Sequence, residues 1–145
     1  MSEARAWSLM DANCPGLHTR ITERLRGGIP DVITQFASGH MLWTELKYIK
    51  GGEIVGHGIG IRADQALFLR KHVAAGGKAA VVVFLGDGDW YLFPAQATAQ
   101  WVRDIQSKFV EGELGRLGMM CRHGNYWWGA YEEMIFGAGV TTNAG

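Results

Sequence analysis

A single mixed α/β domain is the fold class this sequence predicts, and three stretches predict it. Ala79 to Leu85, AAVVVFL, is an unbroken apolar run of strand length, the pattern of a β-strand covered on both faces. Met41 to Ile49 is a second strand-like run, with Trp43, Glu45 and Lys47 alternating against Leu42, Thr44, Leu46 and Tyr48. Between them Arg62 to Ala75, RADQALFLRKHVAA, consists of good helix formers, with apolar Ala66, Leu69 and Val73 at i, i+3 and i+7 and Gly76-Gly77 as a stop. A helix linking two strands is the α/β signature. With 145 residues, 48% of them hydrophobic, the chain can bury a core of its own without disulfide staples.

The remaining elements follow in chain order. Ser2 to Asn13 reads as a short helix with Ser2 as N-cap, ended by Asn13-Cys14-Pro15-Gly16. His18 to Arg26 is a basic segment in which Arg20, Arg24 and Arg26 bracket Glu23, and it runs into Gly27-Gly28. A short β-like run begins at Asp31, one residue after Pro30, and Ser38-Gly39-His40 is compact enough to turn it into a hairpin with Met41 to Ile49. Glu53 to Ile61 alternates loosely among glycines and reads as a third, irregular strand or a loop. Gly56 to Gly60, GHGIG, lacks both the G-x-G-x-x-G spacing and the Walker lysine, so it is not a phosphate loop. Gly86 to Asp89, GDGD, is a tight turn without the rest of a calcium loop; Trp90 to Phe93 follows as a strand and Ala95 to Val110 as a helix.

The hairpin brings chemistry together. Trp43, Glu45 and Lys47 share one face of their strand, and the hairpin would set Asp31 beside Glu45. Two carboxylates suit a hard divalent cation such as Mg2+ or Mn2+, which takes oxygen ligands. A neighbouring ammonium suits an attacking water and the charge that grows on phosphorus. Without that convergence, Glu45 and Lys47 are solvated charges on a half-exposed strand, and Asp31 merely closes a proline turn. Cys14 with His18 and Cys121 with His123 lack the paired C-x-x-C spacing of a zinc site.

At these residues the chain resembles a known family. Gly-Ile-Pro-Asp-Val around Asp31, Trp-Thr-Glu-Leu-Lys around Glu45 and Lys47, then Gln-Ala-Leu-Phe-Leu-Arg from Gln65 and a following Gly-Gly resemble the PD-(D/E)XK nuclease superfamily. They are similar in particular to the small stand-alone members of its VRR-NUC branch, and the match runs from Glu3 to Pro94, about two thirds of the chain. The resemblance implies a restriction-endonuclease-like core of order α-β-β-β-α-β and metal-dependent hydrolysis of DNA. It also implies that Asp31, Glu45 and the Leu46 carbonyl hold Mg2+ or Mn2+, that Lys47 positions the water, and that Gln65 bonds the lysine or a phosphate. An early-helix acid joins the metal in that family; Glu3 is the candidate here and Glu23 its rival. Small members of the branch are similar in acting as homodimers on four-way junctions. A module that keeps the fold and binds DNA without cutting is the alternative reading.

Net charge is zero, which speaks against a strongly electrostatic nucleic-acid binder, yet it is unevenly spread. Residues 1–78 hold ten basic and seven acidic side chains, residues 79–145 four and seven, so the basic excess lies in the half with the proposed site. Arg20, Arg24, Arg26, Arg62 and Lys71 are the candidates for phosphate contacts, each readable also as an ordinary exposed cation. No apolar run approaches the length of a membrane span and the first residues lack a signal-peptide pattern, so a cytoplasmic protein is expected. The nuclease core is placed at 1–110. Residues 111–145, rich in Met, Tyr and Trp around positions 119–136, form an extension that packs on the core or at a subunit interface.

Overall fold

The computed structural model describes residues 3–22, 27–49, 60–85, 90–106, 119–121 and 131–137. In chain order these form α1 (Glu3–Asn13), β1 (Leu17–Arg20), β2 (Val32–Gln35), β3 (Met41–Ile49), α2 (Ala63–Ala74), β4 (Ala79–Leu85), β5 (Trp90–Pro94), α3 (Ala99–Gln106), β6 (Met119–Cys121) and α4 (Tyr131–Phe136). One sheet of order β1-β2-β3-β4-β5-β6 contains every described strand. Only β3 and β4 run parallel, joined through α2; the other neighbours are antiparallel. This is the restriction-endonuclease-like α/β fold, a mixed sheet with helices on both faces.

Alternation along β3 and β4 divides the core in two. Leu42 and Leu46 of β3 with Ala80, Val82 and Phe84 of β4 pack against Ala6 and Met10 of α1 on one face. Ala79, Val81 and Val83 of β4 pack against Ala66 and Leu69 of α2 and Trp101 of α3 on the other. The unbroken apolar run of β4 is thereby explained, because both of its faces are covered. At roughly 1.5–3 kcal/mol per buried aliphatic side chain, these layers supply most of what holds the sheet between its helices.

Two boundaries differ from the expectation. The first strand is Leu17–Arg20, overlapping the start of the stretch from His18 to Arg26 read as a basic segment, and it pairs along its whole length with β2 at the sheet edge. Such an edge strand buries little, so its side chains carry no apolar alternation to announce it. The third helix starts at Ala99 rather than Ala95, because Thr98 caps it: its Oγ1 accepts the Trp101 N–H at 3.0 Å. The strand or loop expected over 53–61 and the turn at 86–89 lie outside the described residues, apart from Gly60 and Ile61.

Tail residues belong to the same structure. β6 extends the sheet beyond β5, and Tyr131 is fully buried with its hydroxyl 2.8 Å from Thr44 Oγ1 on the α1 face of β3. Next to it Glu132 bonds His40 Nδ1 at 2.8 Å and the Ser38 hydroxyl, while Phe136 stacks on the His40 ring at 4.2 Å. The short α4 is thus fixed to the β2–β3 turn. Of the imagined zinc half-sites, Cys14 and His18 do not form one. The ring Nε2 of His18 donates to the Cys14 carbonyl at 2.8 Å and Nδ1 meets Thr34 Oγ1 at 2.7 Å, while burial pushes the Cys14 thiol far up, keeping it neutral.

Candidate active site

The site is built on the residue just before β2, the middle of β3 and the start of α2. The β2–β3 turn sets the register: Phe36 N–H donates to the His40 carbonyl at 2.9 Å, and the pairs Gln35–Met41, Ile33–Trp43 and Val32–Thr44 follow. One step further Asp31 falls opposite Glu45, on the face shared by Trp43 and Lys47. The Asp31 carboxylate is held there, its Oδ2 accepting the Leu46 N–H at 2.9 Å. The Asp31 carbonyl accepts the Ile21 N–H at 2.7 Å, which ties the residue to the end of β1 as well.

Glu45 is 1% exposed. Its Oε1 accepts from Gln65 Nε2 at 2.7 Å and lies 3.1 Å from Lys47 Nζ. Its Oε2 is buried with no hydrogen-bond partner among the described residues. Burial, and after it the charge of Asp31, pushes the Glu45 carboxyl up to about 8, with Lys47 pulling the other way. Gln65, 6% exposed, joins the pair: its Oε1 accepts from Lys47 Nζ at 3.1 Å and from the Arg62 N–H at 3.0 Å. Read as an isolated helix residue, Gln65 is an exposed glutamine; in place, both ends of its amide are consumed in orienting Glu45 and Lys47.

Residues that sequence reasoning did not single out hold the two halves together. Gly28, at φ +85°, lies so close to α2 that a Cβ there would stand 2.5 Å from the Asp64 carbonyl oxygen. The Gly27-Gly28 doublet was the only available signal, since the clash partner is 36 positions away in the chain. Gly28→Ala is expected to cost roughly 2–4 kcal/mol through the left-handed backbone and the clash with main chain. Urea unfolding measures that loss, and a change under about 0.5 kcal/mol would count against this packing.

Among the other candidates, Arg62 is exposed at the head of α2 and pairs with Asp64 at 3.1 Å, holding that carboxyl below its usual range. Lys71 is exposed on α2. Arg20 is exposed in the row of Val32 and Thr44, which by strand alternation is the face opposite the carboxylates. Arg24, Arg26 and Glu23 lie outside the described residues, as does the side chain of Glu3, whose helix α1 packs on the face of β3 away from the site. Among the described residues no third His, Cys, Asp or Glu joins Asp31 and Glu45.

The donor set fits a hard divalent cation. Two carboxylates face one another, one of them buried with an unpartnered oxygen and resisting ionisation, and a positive charge between them would relieve both conditions.

A mixed sheet of this order flanked by helices is the restriction-endonuclease-like architecture. A solved structure that shares it is that of Hjc, a Holliday junction resolvase from the archaeal hyperthermophile Archaeoglobus fulgidus. The two chains superpose with a TM-score of 0.56 at 17% identity, the match covering 81% of this chain and 92% of that one. No protein-family model matches the chain, and no curated protein matches it.

Proposed function

We propose that this protein is a divalent-metal-dependent endonuclease that hydrolyses phosphodiester bonds in branched DNA. The observation that carries the reading is the convergence of Asp31, Glu45, Lys47 and Gln65 on one sheet face, with Glu45 Oε2 buried and unpartnered. The shared fold with a Holliday junction resolvase and the resemblance of the Pro-Asp, Glu-Leu-Lys and Gln stretches to the VRR-NUC branch support it.

Asp31, Glu45 and the Leu46 carbonyl would hold Mg2+ or Mn2+, with Glu3 or Glu23 as a further acid. When bound, the ion lowers the pKa of water and neutralises charge on the phosphate. Gln65 keeps Glu45 and Lys47 in register. The Lys47 ammonium holds the attacking water and stabilises the negative charge that develops on the phosphoryl oxygens. Attack in line with the departing 3′-oxygen leaves a 5′-phosphate. Arg62 and Lys71, exposed on α2, are candidates for phosphate contacts; Arg24 and Arg26 are further candidates, and Arg20, on the opposite face of the sheet, would meet only DNA that wraps the β1 edge. A homodimer would place two such sites on the two strands of a four-way junction. Among the described residues no helix is long and apolar enough to cross a membrane.

Incubation with Mg2+ or Mn2+ and end-labelled four-way junction, flap, duplex and single-stranded DNA tests the reading. Cleavage of branched substrates yielding 5′-phosphate ends, lost on chelation, is the expected result. Tight junction binding with intact DNA in both metals would mean a non-cleaving module instead.

A further inference from the structure

Among the described residues the face that carries the site is unevenly covered. On it α2 and α3 pack over β3, β4 and β5, whereas on β1 and β2 Leu17 is 68% exposed, Thr19 and Gln35 are exposed, and Ile21 and Ile33 are half-buried. The helix therefore forms a step above the less covered strands. At the foot of the step, directly before Glu45, stands a patch of rings. Trp43 is two residues from Glu45 on the same face, about 7 Å along the strand. Phe68 and His72 of α2, one and two turns beyond Gln65, meet it at 5.6 and 5.5 Å between ring centroids, and their own planes lie within 12° of each other. All three rings are half-buried, not sealed in the core. The floor continues through half-buried Ile33 and through Met41, 50% exposed, with no acidic side chain at any of these positions; Lys71, exposed, sits on α2 beside His72.

A strand cut between Asp31 and Glu45 and running back along β3 toward Met41 would cross this patch. Its chemistry is wrong for phosphates and right for the flat face of a nucleobase, with one flanking cation for the backbone. In a paired duplex those faces are already stacked and unavailable; an unpaired nucleotide offers one. Resting on the nuclease reading above, we infer that Trp43, Phe68 and His72 form a subsite that captures an unstacked nucleotide adjoining the scissile phosphate, so that the protein recognises branched DNA by its disrupted base stacking.

The test separates this subsite from cleavage. Binding of a fluorescent oligothymidine and of a duplex of the same length is measured by anisotropy without divalent metal, for the wild-type chain and for Phe68→Leu, Trp43→Leu and Asp11→Asn, the last exposed on α1 across the sheet. Phe68→Leu and Trp43→Leu are expected to weaken single-strand binding roughly 5- to 100-fold and duplex binding less than about twofold, while Asp11→Asn keeps both. If Trp43→Leu fails to fold by circular dichroism, the more peripheral Phe68→Leu decides alone. Equal losses on both DNAs, or no loss, overturn the inference. So does a fall in oligomer mass by sedimentation with single-strand affinity unchanged, which would make the patch a contact between copies of the chain. Should the protein bind single strands as expected but cut nothing in any metal, the nuclease reading fails and the subsite stands.

Discussion

Lys47→Met is expected to leave the protein folded while slowing DNA cleavage by roughly 10²–10³-fold, the loss seen when one pre-organised donor to a developing oxyanion is removed. Methionine retains the aliphatic stem of a half-buried side chain, so the sheet has no reason to rearrange. Asp31→Asn is the complementary probe. An asparagine oxygen can still accept the Leu46 N–H that Asp31 Oδ2 accepts at 2.9 Å, so the backbone contact persists and only the charge is lost. Cleavage at saturating Mg2+ should fall at least as far as in Lys47→Met, and metal affinity should fall with it, measured by titration calorimetry. Unchanged cleavage in either variant would remove these residues from the reaction.

Glu45→Gln should have the opposite effect on stability. Burial and the Asp31 charge raise the Glu45 carboxyl from its ordinary 4.5 to about 8 in the fold. A raised carboxyl stabilises the folded state fully only below the unfolded value; that contribution drains away as pH climbs through the folded value, and above it the deficit is constant. Metal-free wild type is therefore expected to lose stability from about pH 4.5 to 8 through this group. Glutamine cannot ionise, and its oxygen can replace Oε1 as the acceptor for Gln65 and Lys47. At pH 8 without metal, Glu45→Gln should be more stable by roughly 2–5 kcal/mol, a rise in melting temperature of about 5–15 °C, while being inactive. Mg2+ should raise the melting temperature of wild type and leave that of Glu45→Gln nearly unmoved. Thermal melts across the pH range with and without metal decide it; a less stable variant at pH 8 would show that Glu45 is not held against its charge.

How much of this was legible depends on whether local pattern or distant packing decides. The β3 face was readable because alternation is local: Trp43, Glu45 and Lys47 must point one way if Leu42, Leu46 and Tyr48 point the other. Asp31 opposite Glu45 was readable because the turn at residues 37–40 fixes the register for the whole hairpin. β1 was not, since four residues at a sheet edge gain their structure from pairing with β2 and not from their own side chains. Gln65 was visible only through the family resemblance, because burial of its amide is produced by Glu45 and Lys47, 20 and 18 positions away. The aromatic tail was read as packing on the core or at a subunit interface, but which of its rings enters the core was not legible: Tyr131 does, with Thr44 offering its hydroxyl a partner, and nothing near position 131 in the chain announces that.

That last contact ties the far end of the chain to the chemistry. Thr44 and Glu45 are adjacent on one strand but look in opposite directions, so the phenol of Tyr131 braces from behind the same ribbon that offers its acid in front. A chain clipped ahead of residue 131 would strand the Thr44 hydroxyl in an apolar layer, at a cost of about 1–3 kcal/mol. The loosened strand would then pass that disturbance to Glu45, so that α4 steadies from behind a candidate site on the opposite face of the sheet.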